Sequence, residues 1–394
     1  MTPDTHSGVP STVSFDFQAP EHIRFGRGTA AEAGQRASEY GDRALVVTDP
    51  HLTELGVIDP IVESLDEAEL DVELFDGVEP DPTLSVIHHA VEAAREAEAD
   101  ILVGVGGGSS MDVAKGAAVI LANPDLEADP FGRGHVPKPG IPTILLPTTA
   151  GSGAEVSPAV VVIDDRDGHE KKGIIDPNAF GTVAIVDPSL SETLPPEITR
   201  ATGIDAFAHA VGSAISTTSN PVADALCTRA MALVEGNLRP ATFSGVDAPR
   251  ARNAMALAAM TAMFGRVNGG KAAIHAVAYG VQSLYDIPHG EAIAAVLPAV
   301  LEYNLPAAVP TYATLGTRLY GAEGDARTRA ETFLEGVRRL RSDVGLDARL
   351  GEFGATEDDL DELAAMAITS KRHLEANPRS VSEDDARAIL ESIL

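Results

Sequence analysis

From Phe25 onward the chain alternates short runs of aliphatic and β-branched residues with segments whose apolar positions recur every three or four residues. Runs of the first kind fit buried strands and those of the second fit amphipathic helices. Strands are predicted over 44–49, 70–75, 101–105, 143–146, 159–163 and 183–186, and helices over 87–97 and 111–121. Such alternation predicts a parallel sheet covered on both faces. After Leu194-Pro195-Pro196 the β-branched enrichment fades and helical spacing persists to Leu394. The pattern therefore predicts an α/β N-terminal domain over residues 1–190 and an all-α domain over 191–394. The stretch Asp129 to Gly140, rich in Pro and Gly, reads as a mobile loop.

Two strand ends carry chemistry. The strand over 101–105 runs into Gly106-Gly107-Gly108-Ser109-Ser110-Met111-Asp112 and then into a helix bearing Lys115. Consecutive glycines at such a turn let backbone N–H groups approach a pyrophosphate at the positive end of the helix dipole. The spacing is neither the common G-x-G-x-x-G fingerprint nor a P-loop. A second loop, Pro147-Thr148-Thr149-Ala150-Gly151-Ser152-Gly153-Ala154-Glu155, offers hydroxyls after another predicted strand. Ligands of open α/β sheets sit beyond the carboxyl ends of the strands, so the two loops point to one crevice. Asp49, at a third strand end, suits ribose hydroxyls and repels a 2′-phosphate, which favours NAD over NADP.

The helical half carries a different set. Asp205 and His209 stand four residues apart in an Ala-rich segment, which puts their Cβ atoms roughly 5–6 Å apart on one helix face. His275 lies in a second Ala-rich stretch, and His289 follows a proline just before the apolar run from Ala292 to Leu301. One carboxylate and three imidazoles suit a borderline divalent ion such as Zn²⁺ or Fe²⁺. The other histidines, His6, His22, His51, His88, His89, His135, His169 and His373, have polar or charged neighbours and read as surface residues.

Composition narrows the classes. Among 394 residues, 59 acidic against 29 basic ones leave a net charge of −30, which excludes nucleic-acid binding. The acidity is dispersed and only six of the basic residues are lysines, a surface that reads as halophilic. The polar N-terminus and the lack of any run near the ~18 apolar residues of a membrane span point to the cytoplasm and away from a membrane. The lone Cys227 makes no internal disulfide and reads as a small buried residue.

Taken together, these motifs resemble the iron-containing (group III) alcohol dehydrogenase family. The resemblance rests on the Gly106–Lys115 and Pro147–Glu155 segments, Gly203-Ile204-Asp205-Ala206-Phe207-Ala208-His209-Ala210, and His275 spaced fourteen residues from the His of Pro288-His289-Gly290. The late Asn377-Pro378-Arg379 also matches. The resemblance implies a Rossmann-like NAD(P) domain, a helical domain of the dehydroquinate-synthase-like type, and a homodimer. It also implies a metal in the cleft between the domains, held by Asp205, His209, His275 and His289. Iron is the expected metal, with Zn²⁺ or Mn²⁺ as alternatives, and NAD the expected cofactor ahead of NADP.

The chain departs from the family pattern at three places. Tyr279 replaces a histidine one turn after the third ligand, which resembles the branch acting on hydroxy acids, including 4-hydroxybutyrate dehydrogenases and hydroxyacid-oxoacid transhydrogenases. Gly212 stands where a glutamate is usual, and Ser152 and Ala154 vary the second loop.

The expected reaction joins a primary alcohol or hydroxy acid to its aldehyde or ketone by hydride transfer, with the ion as Lewis acid on the oxygen. Tyr279, one turn from His275, is the candidate positioning or relay group, and Lys271, one turn to the other side, with Arg266 nearby, is a candidate for a substrate carboxylate. A lyase of the 3-dehydroquinate synthase type is the alternative. It needs a strongly basic pocket, and only Lys271 and Arg266 lie near the ligands in sequence, with Lys371-Arg372 more distant.

Overall fold

The structure, a computed structural model, describes residues 14–166 and 170–394, so the expectations for His6 and His169 lie outside the described residues. Among the described residues there are nine strands: β1 (His22–Phe25), β2 (Arg43–Val47), β3 (Asp71–Phe75), β4 (Ile101–Gly106), β5 (Gly132–Arg133), β6 (Thr143–Pro147), β7 (Ala159–Asp164), β8 (Glu170–Ile175) and β9 (Val183–Val186). Six of them form a parallel sheet in the order β1-β9-β6-β4-β2-β3. Alternate residues of each central strand feed opposite cores. Leu45, Val47, Leu102 and Leu145 join one buried cluster, and Ala44, Val46, Ile101, Val103, Val105, Ile144 and Leu146 join the other. That is why these strands read as unbroken apolar runs in the sequence.

Three expectations are corrected here. The predicted strand over 159–163 does not extend the parallel sheet; β7 pairs antiparallel with β8 in a separate three-stranded sheet with β5. Polar side chains at Lys171 and Lys172 hid β8 from a periodicity reading. The segment read as a mobile loop is pinned: Val136 N–H donates to Asp176 at 3.0 Å and its carbonyl accepts from Asn178 at 2.8 Å. Finally, one helix, His289–Tyr320, is long and apolar enough by length and composition to cross a membrane, contrary to the sequence reading. Within its most apolar window 67% of the residues are buried, and it packs along the Ala326–Asp343 helix, as a core helix does.

Contacts divide the chain into two compact units. One comprises Ala19–Phe207 and Leu233–Met263 and contains both sheets; the other takes the chain up to Gln18, Ala208–Ala232 and Phe264–Leu394 and is helical. The Pro196–Ala214 helix contributes residues to both. In the helical unit Cys227 is buried, and burial pushes its thiol up to about 12.

Candidate functional site

The glycine-rich turn sits where strand β4 meets the Gly108–Ala122 helix. Gly106 has φ near 149°, and a Cβ there would stand 2.7 Å from Ser110 Cβ, so only glycine fits. Gly107 is the N-cap residue of the helix and no side chain caps it, so the first N–H groups face outward as a cradle for an anion. Pairing of β4 with β6 brings the second loop alongside. A Cβ on Gly107 would lie 3.7 Å from Thr149, and one on Gly108 would lie 3.1 Å from Ser152 Oγ.

The candidate cofactor residues separate by burial. Asp49, Gly107, Gly108, Ser109, Thr149 and Ser152 are half-buried at the rim, whereas Gly106, Ser110, Asp112 and Thr148 are buried beneath it. Asp112 is committed inside, pairing with Lys115 at 2.9 Å and accepting from the Val161 N–H at 2.9 Å. Burial raises its pKa while Lys115 opposes that rise. Lys115 itself is fully buried and donates to the carbonyls of Ala154, Ser157 and Ala159 at 3.0, 3.2 and 2.6 Å. This ammonium thus ties the helix behind the glycine turn to the second loop. Glu155, in the same loop, is buried with Oε2 lacking a hydrogen bond, and burial pushes its carboxyl up to about 7. Asp49 caps the Pro50–Glu54 helix by accepting from Leu52 N–H at 3.0 Å, while its charge stays at the rim.

The second loop also reaches the helix of the first candidate ligand. Gly151 packs so closely on Thr202 that a Cβ would stand 2.9 Å from the Thr202 carbonyl, three residues before Asp205. Asp205 is buried, and its carboxylate converges with His275 and His289, one ligand atom from each lying within 4.8 Å of the others. His209, also buried, stacks on His275 with ring centroids 4.8 Å apart and planes at 9°. All four residues singled out in the sequence therefore gather. The set of one carboxylate and three imidazoles fits a divalent ion of borderline character.

Supporting groups orient the rings. Gln282, buried two turns after His275 on the same helix face, accepts from His289 Nδ1 at 2.9 Å, which leaves His289 Nε2 with the lone pair that a metal needs. Asn377 and Asn304 exchange reciprocal amide bonds at 2.9 and 2.8 Å. Asn377 Oδ1 also accepts from the Ala273 N–H at 3.1 Å, at the start of the Ile274–Tyr285 helix that carries His275. The late Asn-Pro-Arg motif thus sets the origin of the His275 helix. Arg266 donates to His275 Nε2 at 3.0 Å, so a guanidinium already stands at an imidazole nitrogen of the cluster.

Several sequence readings change. His373 is half-buried, and its ring lies 6.0 Å from that of His275 at an interplanar angle of 20°. It was missed because Lys371, Arg372 and Glu375 surround it in sequence; packing of the short Lys371–Glu375 helix on the His275 helix brings it in. That helix is therefore close to the cluster, not distant from it. Tyr279 does follow His275 by one turn on the same helix, half-buried. Lys271 does not precede it by a helical turn, because the helix begins at Ile274 and Lys271 lies in the connection before it.

Comparison with known proteins gives the same picture over nearly the whole chain. Residues 20–188 match the family described as iron-containing alcohol dehydrogenase, and residues 199–394 match the C-terminal region of the Fe-containing alcohol dehydrogenase family. The chain is 34% identical to the sulfoacetaldehyde reductase of Bilophila wadsworthia (strain 3_1_6), over 96% of this chain and 99% of that one. It is 33% identical to the NAD-dependent methanol dehydrogenase of Bacillus methanolicus, over 96% of this chain and all of that one. The crystal structure of a 1,3-propanediol oxidoreductase superposes with a TM-score of 0.93 at 32% identity, covering 97% of this chain and 100% of that one.

Proposed function

The chain belongs to the iron-containing alcohol dehydrogenase family of oxidoreductases, and from that premise we propose that it interconverts a small primary alcohol or hydroxy acid and its carbonyl form, using NAD and Fe²⁺. The observation that carries this reading is the convergence of Asp205, His275 and His289 ligand atoms within 4.8 Å, with His209 stacked on His275. In this reading Asp205, His209, His275 and His289 hold the ion. When bound, the ion supplies Lewis acidity and the nicotinamide a hydride acceptor.

The residues of the chain do the rest. Gln282 keeps the His289 ring in one tautomer, and Asn377 holds the first turn of the His275 helix, so that two of the donors are oriented before an ion arrives. The uncapped N–H groups at Gly108 to Ser110 bind the pyrophosphate, with Thr149 and Ser152 adding hydroxyls at the rim. Asp49 takes a ribose hydroxyl, and its charge selects NAD over NADP. Tyr279 serves to position the substrate or relay a proton from its hydroxyl. We read the dispersed charge of −30 as an adaptation to high salt.

The test is to purify the protein anaerobically in high salt, measure its metal content, and follow reduction of NAD and NADP with a panel of alcohols, diols and hydroxy acids. Turnover that vanishes with chelator and returns with Fe²⁺ is the expected result. Bound metal with no nicotinamide reduction across the panel overturns the dehydrogenase reading in favour of a lyase or a transhydrogenase.

A further inference from the structure

The three candidate imidazole donors of the helical unit come from three helices: His209 from Pro196–Ala214, His275 from Ile274–Tyr285 and His289 from His289–Tyr320. One short segment late in the chain bonds to all three helices or to their ends. The Ala376 carbonyl accepts from the Thr217 N–H at 2.9 Å, just past the end of the His209 helix. Asn377 Oδ1 accepts from the N–H of Ala273, the residue before the His275 helix, at 3.1 Å. Asn304, on the helix that His289 begins, exchanges two amide bonds with Asn377, and Arg379 donates to the Tyr303 carbonyl on that same helix. The Arg379 guanidinium also lies over the Tyr303 ring, 3.9 Å from its centroid.

Asn377 is the centre of these bonds, and both it and Asn304 are buried. A primary amide carries two N–H donors and an oxygen with two lone pairs. Asn377 uses all four: Oδ1 takes Ala273 and Asn304, while Nδ2 donates to Asn304 Oδ1 at 2.8 Å and to the Arg379 carbonyl at 2.6 Å. A carboxylate cannot donate, and an alkyl group would leave the Ala273 N–H and the Asn304 amide buried without this partner. Resting on the metal site proposed above, we infer that residues 376–379 are a positioning bracket, centred on Asn377, that holds the His209, His275 and His289 helices in the arrangement an ion requires. Donors held in place beforehand leave less ordering to be done when the ion binds, which raises affinity. The coupling is reciprocal: what the bracket adds to metal affinity, the ion returns as resistance of the bracket to opening. A bracket that served the fold alone would lack that second half.

Neither measurement that tests this reads turnover. Zinc affinity, by competition with a chromophoric chelator, is compared in wild type, Asn377→Ala and Asn304→Ala, and the absorption bands of the Co²⁺-loaded proteins report donor geometry. We expect affinity to fall about thirtyfold in Asn377→Ala, with shifted Co²⁺ bands, and by a smaller factor in Asn304→Ala, which keeps the Ala273 bond. In wild type, amide exchange at Ala273 and Thr217 slows tenfold or more when zinc is bound. That readout needs no variant, so it decides alone if Asn377→Ala fails to fold. Wild-type affinity in folded Asn377→Ala, or exchange at both amides indifferent to zinc, overturns the bracket, while zinc binding by wild type leaves the metal site standing. A wild-type protein that binds neither zinc, iron nor cobalt overturns both.

Discussion

The glycine-rich turn and the histidine cluster are two ways of building a binding surface. At the turn the ligand-facing groups are backbone N–H groups, so side chains serve as internal bracing: Lys115 draws three carbonyls and Asp112 around one buried ammonium. At the cluster the ligand-facing groups are side chains, and the bracing is by neutral amides, Gln282 on His289 and Asn377 on the backbone before His275. The difference has a physical reason. At the turn the buried charges pair with each other and with loop carbonyls, whereas a charged donor among imidazoles occupies a ring nitrogen, as Arg266 does at His275.

If that contrast holds, perturbing the two regions should produce different failures. The largest effect is expected for His275→Ala, which should lose bound metal and lower turnover by about a thousandfold or more; elemental analysis and NADH absorbance check it. Normal metal content in this variant would remove His275 from the ligand set. Lys115→Met should instead destabilise the sheet-bearing unit by about 3–5 kcal/mol, because Asp112 is left as a buried charge without its partner. Denaturant titration reads this, and a loss under about 1 kcal/mol would show that the ammonium is not the brace described here.

Glu155 gives a pH signature to the same region. Its folded pKa, about 7, lies above the ordinary value of 4.5, so the folded state holds the proton over that interval and the unfolded state does not. The unfolded chain binds fewer protons there, and stability therefore falls as pH rises from about 4.5 to 7. Glu155→Gln should flatten that fall, which is on the order of 3 kcal/mol, when melting is followed across the pH range. The smallest expected effect is that of Gln282→Ala, a 10- to 100-fold loss of metal affinity with the fold intact. Competition with a chromophoric chelator measures it, and an unchanged affinity would assign Gln282 to packing alone.

Much of this protein was legible in one dimension. The parallel strands were visible because both of their faces are buried, which forces continuous aliphatic runs at 44–47 and 101–105. The candidate ligand pair Asp205 and His209 was visible because a helix converts a spacing of four into proximity. Strand β8 was not, since its lysines pair with acids elsewhere in its unit: Lys171 with Asp81 and Lys172 with Asp164. Nor was the burial of Lys115, because the three carbonyls that receive it lie some forty residues along the chain.

What the sequence offered by itself was a candidate chemistry: a glycine turn suited to an anion in one short run, and one carboxylate and three imidazoles suited to an ion in two separate pairs that packing brings together. Tertiary structure alone decided which residues support them. Gln282, His373 and Arg266 acquire their roles from helices packed side by side, and a charged or amide side chain carries no local mark of the partner it will meet once its own helix has been placed.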